Sequence, residues 1–330
     1  MAYRGRALYN LLAMNFRQQP SLAVESWQVE DYRQLAEKTL FDKLQEYAVD
    51  LGQGEFLRCT EEFDSPENLT DWLYRGDDFT RHEQIFLCLF ELWRRLACHK
   101  LPPSIFCDEL DHLIESYEAG NLECENRLQD SLLKWQGVLE DHVDEGGDWE
   151  EAFDLFSEFS CHDLERFVYE YAAHQIDVEN DLYASELLEG FFGFVKKKQW
   201  FEFLRLRLVF NVDPEEGRIM VERLLESLDH KPETQLLFEV LHFLIYTGEF
   251  EIFTTAFRRA FDELKCEGDL RELMMIASDY MNCMERFSEE KKINDVIDQR
   301  KEIPKEAEID SKTEILQKLK EWVILAPSKR

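Results

Sequence analysis

Two Glu-x-x-His spacings, Glu109/His112 and Glu239/His242, are the sharpest chemical signal in this 330-residue chain. On a helix, positions i and i+3 share a face. Two such pairs joined by two further carboxylates build the di-iron or di-manganese centre of helical-bundle oxidases. With eight His in a chain this rich in Glu, about one such pair is expected by chance. His242 also sits in a strongly apolar segment, Leu236 to Tyr246, where a hydrogen-bonded core imidazole is expected. The reading therefore assigns no catalytic residue, no metal and no cofactor, and keeps the oxidase as an alternative resting on these four residues.

Other chemistries find less support. Cys98, His99, Cys107 and His112 lie near one another in sequence, as do Cys161 and His162, yet the paired short spacings of structural zinc sites are absent. The eight cysteines, at 59, 88, 98, 107, 124, 161, 266 and 283, lie in or beside apolar stretches and read as buried thiols in a reducing compartment. The acidic run from Glu140 to Glu151 lacks the alternating oxygen ligands around a glycine that make a calcium loop. No phosphate-binding glycine loop, dinucleotide fingerprint or nucleophile elbow occurs.

The formal net charge is −32, from 70 acids against 38 bases. Residues 1–24 hold Arg4, Arg6 and Arg17 and no acid, and 289–330 hold ten charges of each sign, so an acid excess of 35 lies in 25–288. Such a surface repels nucleic-acid phosphates and anionic lipid and attracts basic protein segments, although solubility alone would also account for it. A further alternative follows, an inhibitor that mimics nucleic acid through its acidic face. One basic island interrupts the acid: Lys196, Lys197, Lys198, Arg205 and Arg207. It reads either as a helix terminus with ion-paired neighbours or as a docking patch for an acidic segment, the chain's own included.

Helices must position these residues. Gly (13) and Pro (8) are scarce, 25 Phe, 11 Tyr and 7 Trp are abundant, and no alternating run of strand length occurs, so an all-α fold is expected. Apolar spacing predicts helices over 29–49, 69–74, 81–98, 104–117 and 122–143. A second series follows over 148–159, 162–175, 182–196, 199–210, 214–229, 233–246, 249–264 and 268–287. Asp213 and Pro214 mark a helix start as N-cap and first residue. The chain divides into a basic segment (1–24), an N-terminal helical region (25–143), a repeat region (144–287), a charged linker (288–311) and a C-terminal helix (312–330) that docks as a cap or serves as a ligand. No apolar run approaches the roughly 18 residues of a membrane span, and a cytoplasmic protein is expected. Residues 1–24 read as a first helix or tail, with a targeting or secretion leader as the alternative.

A short motif returns along the repeat region. Trp149, Trp200 and Phe250 mark the same place in three consecutive units, 51 and 50 residues apart, as expected of stacked helical hairpins. The stretch Gly147-Asp148-Trp149-x-x-Ala152-x-x-x-Phe156 resembles the turn and second helix of a tetratricopeptide repeat, with Leu139 and Val143 where that family's first helix is apolar. Gly248, Phe250, Phe257 and Ala260 match again, whereas Phe253 and Leu241 stand where the family carries small residues. The middle unit keeps Trp200, followed by Phe203. The period of about 50 residues exceeds the 34 typical of that repeat, so the resemblance is to a tetratricopeptide-like or armadillo-like helical repeat with an added helix per unit. It implies a groove that holds an extended or helical segment of a partner protein. The family's Lys and Asn clamp for a C-terminal carboxylate has no counterpart here. The reading is thus a non-enzymatic interaction module for a basic or amphipathic segment, without nucleic acid or membrane. Trp149, Trp200 and Phe250 serve as packing residues, each tryptophan worth about 3 to 5 kcal/mol if fully buried.

Overall fold

The structure, a computed structural model, describes residues 3–121, 123, 125–230, 232–246, 250–309 and 314–324. These residues form α-helices throughout, with no strand among them and one isolated bridge between Cys266 and Glu308. No helix among the described residues is long and apolar enough to cross a membrane. The chain divides into two compact units, Met1–Tyr171 with Glu189–Lys196, and Ala172–Leu188 with Lys197–Arg330. This division differs from the expected boundary at 143/144.

The first unit holds α1 (Arg6–Gln18), α2 (Glu37–Glu46), α3 (Gln53–Glu62), α4 (Pro66–Leu73), α5 (Phe79–Leu96), α6 (Pro103–Glu118), α7 (Glu125–Asp144) and α8 (Trp149–Phe159). Residues 6–18 of the basic segment are helical. Helix α5 starts at Asp78, whose carboxylate accepts from the Arg81 N–H at 3.2 Å. All residues from Ile85 to Trp93 are buried, so α5 is the central helix of this unit. Around it pack Leu40 and Leu44 of α2, Phe56 of α3 and Leu69 of α4. A second cluster forms around Trp135 of α7, whose ring meets Phe153 at 5.0 Å, Phe156 at 6.0 Å and Phe191 at 5.0 Å.

Two expectations in this unit are corrected. The single helix over 29–49 is replaced by 3₁₀ turns at Ser26–Gln28 and Tyr32–Gln34, with α2 beginning only at Glu37. The Asp31 side chain accepts from the Arg33 N–H at 3.0 Å, a local bond that competes with α-helical pairing. Helix α3 was not expected, because Gly52 and Gly54 read as terminators. Gly52 is instead extended at the N-cap (φ −89°, ψ 163°), a position where glycine is accepted, and Phe56 and Thr60 bury the helix.

Helices α9 (Leu164–Asp177) and α10 (Asp181–Phe192) carry residues of both units. The second unit continues with α11 (Lys198–Val212), α12 (Pro214–His230), α13 (Thr234–Leu244), α14 (Phe250–Asp262), α15 (Glu267–Cys283), α16 (Phe287–Arg300) and α17 (Glu314–Ile324). Asp213 caps α12 as expected, accepting from the N–H groups of Glu215 and Glu216 at 3.2 Å each. In the second unit adjacent helices pack as pairs, α11 on α12, α13 on α14 and α15 on α16. The core of the second unit is one apolar cluster running from Phe203 to Val323, with Phe253 stacked on Tyr280 at 3.6 Å.

The charged linker over 288–311 is also corrected. Residues 287–300 form α16, which packs on α15 through Ile293 and Val296, apolar positions three apart and therefore on one face. Residues after it lie against the start of α15, where the N–H of Glu267 donates to Ala307 O at 2.9 Å and that of Gly268 to Lys305 O at 2.8 Å. Helix α17 docks on the same core: Leu316, Leu319 and Val323 are buried, and Lys320 pairs with Asp262 at 2.9 Å. Of the two roles considered for this segment, it takes the cap.

Candidate functional site

A polar cleft of about 510 Å³ opens in the first unit between α1, residues 29–34 and α6. Helical spacing builds its walls. Arg6, Asn10 and Arg17 project from α1, and Asp108, Asp111, His112 and Glu115 from α6, the latter at offsets of three, four and seven that share one face. Arg33 reaches in from the second 3₁₀ turn, meeting Asp108 Oδ2 at 2.5 Å and Glu109 Oε1 at 2.8 Å. Asn10 Nδ2 donates to Asp108 Oδ1 at 2.8 Å, and Arg17 pairs with Glu115 at 2.8 Å. Behind the cleft Arg94 bridges Glu109 at 3.3 Å and Glu91 at 2.6 Å, and Arg95 also pairs with Glu91. Burial alone would lower the Arg33 guanidinium, but Asp108 and Glu109 outweigh it and hold its pKa above the usual arginine value.

Beside the cleft, Asp111 anchors the turn between α8 and α9. Ser160 Oγ donates to Asp111 Oδ1 at 2.5 Å and the Cys161 N–H donates to Oδ2 at 2.9 Å. Ser160 Oγ in turn accepts from the His162 N–H at 3.1 Å. One donor atom each from Asp111, Cys161 and His162 lie within 4.8 Å of one another. Burial raises the Asp111 carboxyl against the opposing hydrogen bonds from Ser160 and Cys161. Burial, and then the Asp111 carboxylate, push the Cys161 thiol far above its usual range, so this thiol is not an activated nucleophile.

The four residues of the oxidase alternative fall elsewhere. Glu109 is committed to Arg33 and Arg94. His112 is exposed at the cleft. Glu239 and His242 belong to the second unit on α13, and both are exposed, which corrects the expectation of a core His242. The reason lies in phase: Leu237, Phe238, Val240, Leu241 and Leu244 take the buried face of α13, leaving 239 and 242, three apart, on the outer one. Among the described residues, no grouping of three possible ligands includes any of the four. Cys98 and His99 are exposed and Cys107 is buried with its Sγ donating to Phe156 O at 3.4 Å. Expected burial of the thiols holds for Cys88, Cys107 and Cys161, but Cys98 and Cys283 are exposed; Cys124 lies outside the described residues.

The basic island is divided between the units and largely engaged. Lys196, in the first, pairs with Asp154 at 2.6 Å, while Arg207, in the second, pairs with Asp177. Lys197 and Arg205 also have partners, and Lys198 is exposed as the first residue of α11.

The repeat-packing residues behave unequally. Ala152, Phe156, Phe203 and Phe257 are buried, and Trp200 and Phe250 are partly buried against the core of the second unit. Gly248 lies outside the described residues. Trp149 is 46% exposed, so the full burial on which its expected cost depended is not met. Its ring meets Phe194 at 4.8 Å with the planes tilted by 43°, and lies over Gly193, where a Cβ would come within 2.7 Å of the indole.

Next to Trp149 the acidic run forms a continuous exposed surface. Glu140, Asp141, Asp144, Glu145, Asp148, Glu150 and Glu151 are all exposed, and no Lys or Arg interrupts them. Leu133 of α7 is exposed as well, at 69%. The Asp111 cluster escaped sequence reasoning because its parts lie 50 residues apart; only the adjacency of Cys161 and His162 hinted at it. The chain matches no protein-family model, and no match was found among curated proteins or solved structures.

Proposed function

We propose that this protein is a non-enzymatic interaction module of the helical-repeat type that holds a basic or amphipathic segment of a partner protein. The observation that carries the reading is the exposed run Glu140–Glu151, seven carboxylates with no Lys or Arg inside the run, flanked by the exposed Trp149 and Leu133. Clustered negative charge steers and orients a cationic segment, and a half-exposed tryptophan offers it both apolar area and a π face. The packed pairs of adjacent helices support a tetratricopeptide-like or armadillo-like architecture for the module.

Calorimetric titration of the full chain with a synthetic Lys-rich amphipathic helix tests the proposal. Binding is expected at low salt and should weaken as salt screens the charges. The combined variant Glu140→Gln, Asp141→Asn, Asp144→Asn and Glu145→Gln, which leaves the Asp148 cap intact, should weaken it by about tenfold, or about 1.4 kcal/mol. Absence of binding, or equal binding by the neutralised variant, would remove the proposal. Displacement of a basic partner protein from duplex DNA would instead favour the nucleic-acid mimic.

A further inference from the structure

We infer that Asp111, Cys161 and His162 form a zinc-binding site in the first unit. The three residues come from two segments, α6 and the turn between α8 and α9, and bring a carboxylate oxygen, a thiol sulfur and a ring nitrogen within 4.8 Å of one another. Asp111 and Cys161 are buried, at 2% and 6% exposure. A second, independent observation points to a ligand: His162 Nε2 is itself buried and has no hydrogen-bond partner among the described residues, as a ligand nitrogen without its ion would.

The donor set has the chemistry of a zinc site. Thiolate, imidazole and carboxylate are the three ligand types zinc takes from proteins, and three protein ligands leave a fourth position for water. Tetrahedral bonds of about 2.0 to 2.3 Å place donors roughly 3.3 to 3.8 Å apart, so the cluster closes on the ion by side-chain movements of about 1 Å. Its surroundings fix the ligands in advance. Ser160 Oγ holds one carboxylate oxygen and the Cys161 N–H holds the other, and each oxygen keeps a second lone pair for a metal. Ser160 also takes the His162 N–H, which sets the turn that carries both remaining ligands. Such outer contacts orient metal ligands in established sites. On binding, the Cys161 S–H bond breaks, its proton leaves to solvent, and the sulfur lone pair forms the Zn–S bond; no electron is transferred. The ion would tie the α8–α9 turn to α6.

Full-length, untagged protein stripped with chelator and titrated with Co²⁺ under anaerobic conditions tests the site. One equivalent is expected to produce the near-ultraviolet thiolate-to-cobalt band and the visible bands of a tetrahedral ion, both erased by one equivalent of Zn²⁺. Cys161→Ser should abolish the thiolate band, and His162→Ala should weaken binding at least tenfold. Cys98→Ser and Cys283→Ser, which remove exposed thiols, should leave both unchanged. Asp111→Asn also removes the anchor of the turn, so the wild-type melting temperature serves as a second reading: it should rise with Zn²⁺ and fall back with chelator. Absence of a tetrahedral spectrum at one equivalent, its persistence in Cys161→Ser, or a melting temperature indifferent to Zn²⁺ would overturn the assignment.

Discussion

The two units bury charge in different ways. In the first, Glu91, Asp108 and Asp111 are all nearly inaccessible, and Arg33, Arg94 and Arg95 link the first two into a branched network that reaches the cleft. In the second, Glu267 is the buried carboxylate among the described residues. Arg300 clamps both its oxygens, at 2.9 and 2.6 Å, and Arg271 Nε lies 3.7 Å from one of them. Replacing a buried ion pair by apolar side chains is often neutral or stabilising, so stability alone does not explain a branched network. A network that ends on a cleft holds side chains in fixed positions at the surface. A compact cluster of Glu267, Arg271 and Arg300, confined to α15 and the last residue of α16, fixes helices.

That contrast can be tested where it is strongest. Glu267→Ala leaves Arg300, whose side chain is 15% exposed, without its anion in the core. Removing one member of a buried pair costs about 3 to 5 kcal/mol, and the midpoint of urea unfolding should fall accordingly. In the first unit Arg33 keeps Glu109 and the Asp108 carbonyl as acceptors when the Asp108 carboxylate is lost. Asp108→Asn, which preserves shape, should therefore cost only about 2 kcal/mol, the scale of one hydrogen bond to a charged group. A larger loss for Asp108→Asn than for Glu267→Ala would show that the network is not redundant and would reverse the comparison.

Much of the second unit was legible because its signals are local. Apolar residues at helical spacing and the Asp213-Pro214 start each fix an element without reference to the rest of the chain. Helix α16 was missed and read as a linker, because the charged residues on its outer face concealed Ile293 and Val296. The first unit was harder to read. Its 3₁₀ turns depend on Asp31 bonding its own backbone, and its cleft depends on contacts such as Asn10 with Asp108 across 98 residues. Residue spacing along the chain carries no trace of such pairings. The same limit explains why Glu109 read as a metal ligand: its partners Arg33 and Arg94 come from two other elements.

Trp149 sharpens the comparison at its smallest scale, because motif and burial disagree there. By position it matches a packing residue of the helical repeat, and full burial would make its removal cost about 3 to 5 kcal/mol. Its ring is instead 46% exposed and leans on Phe194 from one side. Truncation would open a surface notch that water fills, so no cavity term adds to the lost ring contact, which for an aromatic pair is about 0.5 to 1.5 kcal/mol. Trp149→Ala should therefore lower stability by about 1 kcal/mol, a shift of a few degrees in melting temperature for a chain of this size, while weakening the Lys-rich helix more than it weakens the fold. A loss on the scale of a buried tryptophan would return Trp149 to the core and leave the acidic surface beside it without its apolar anchor.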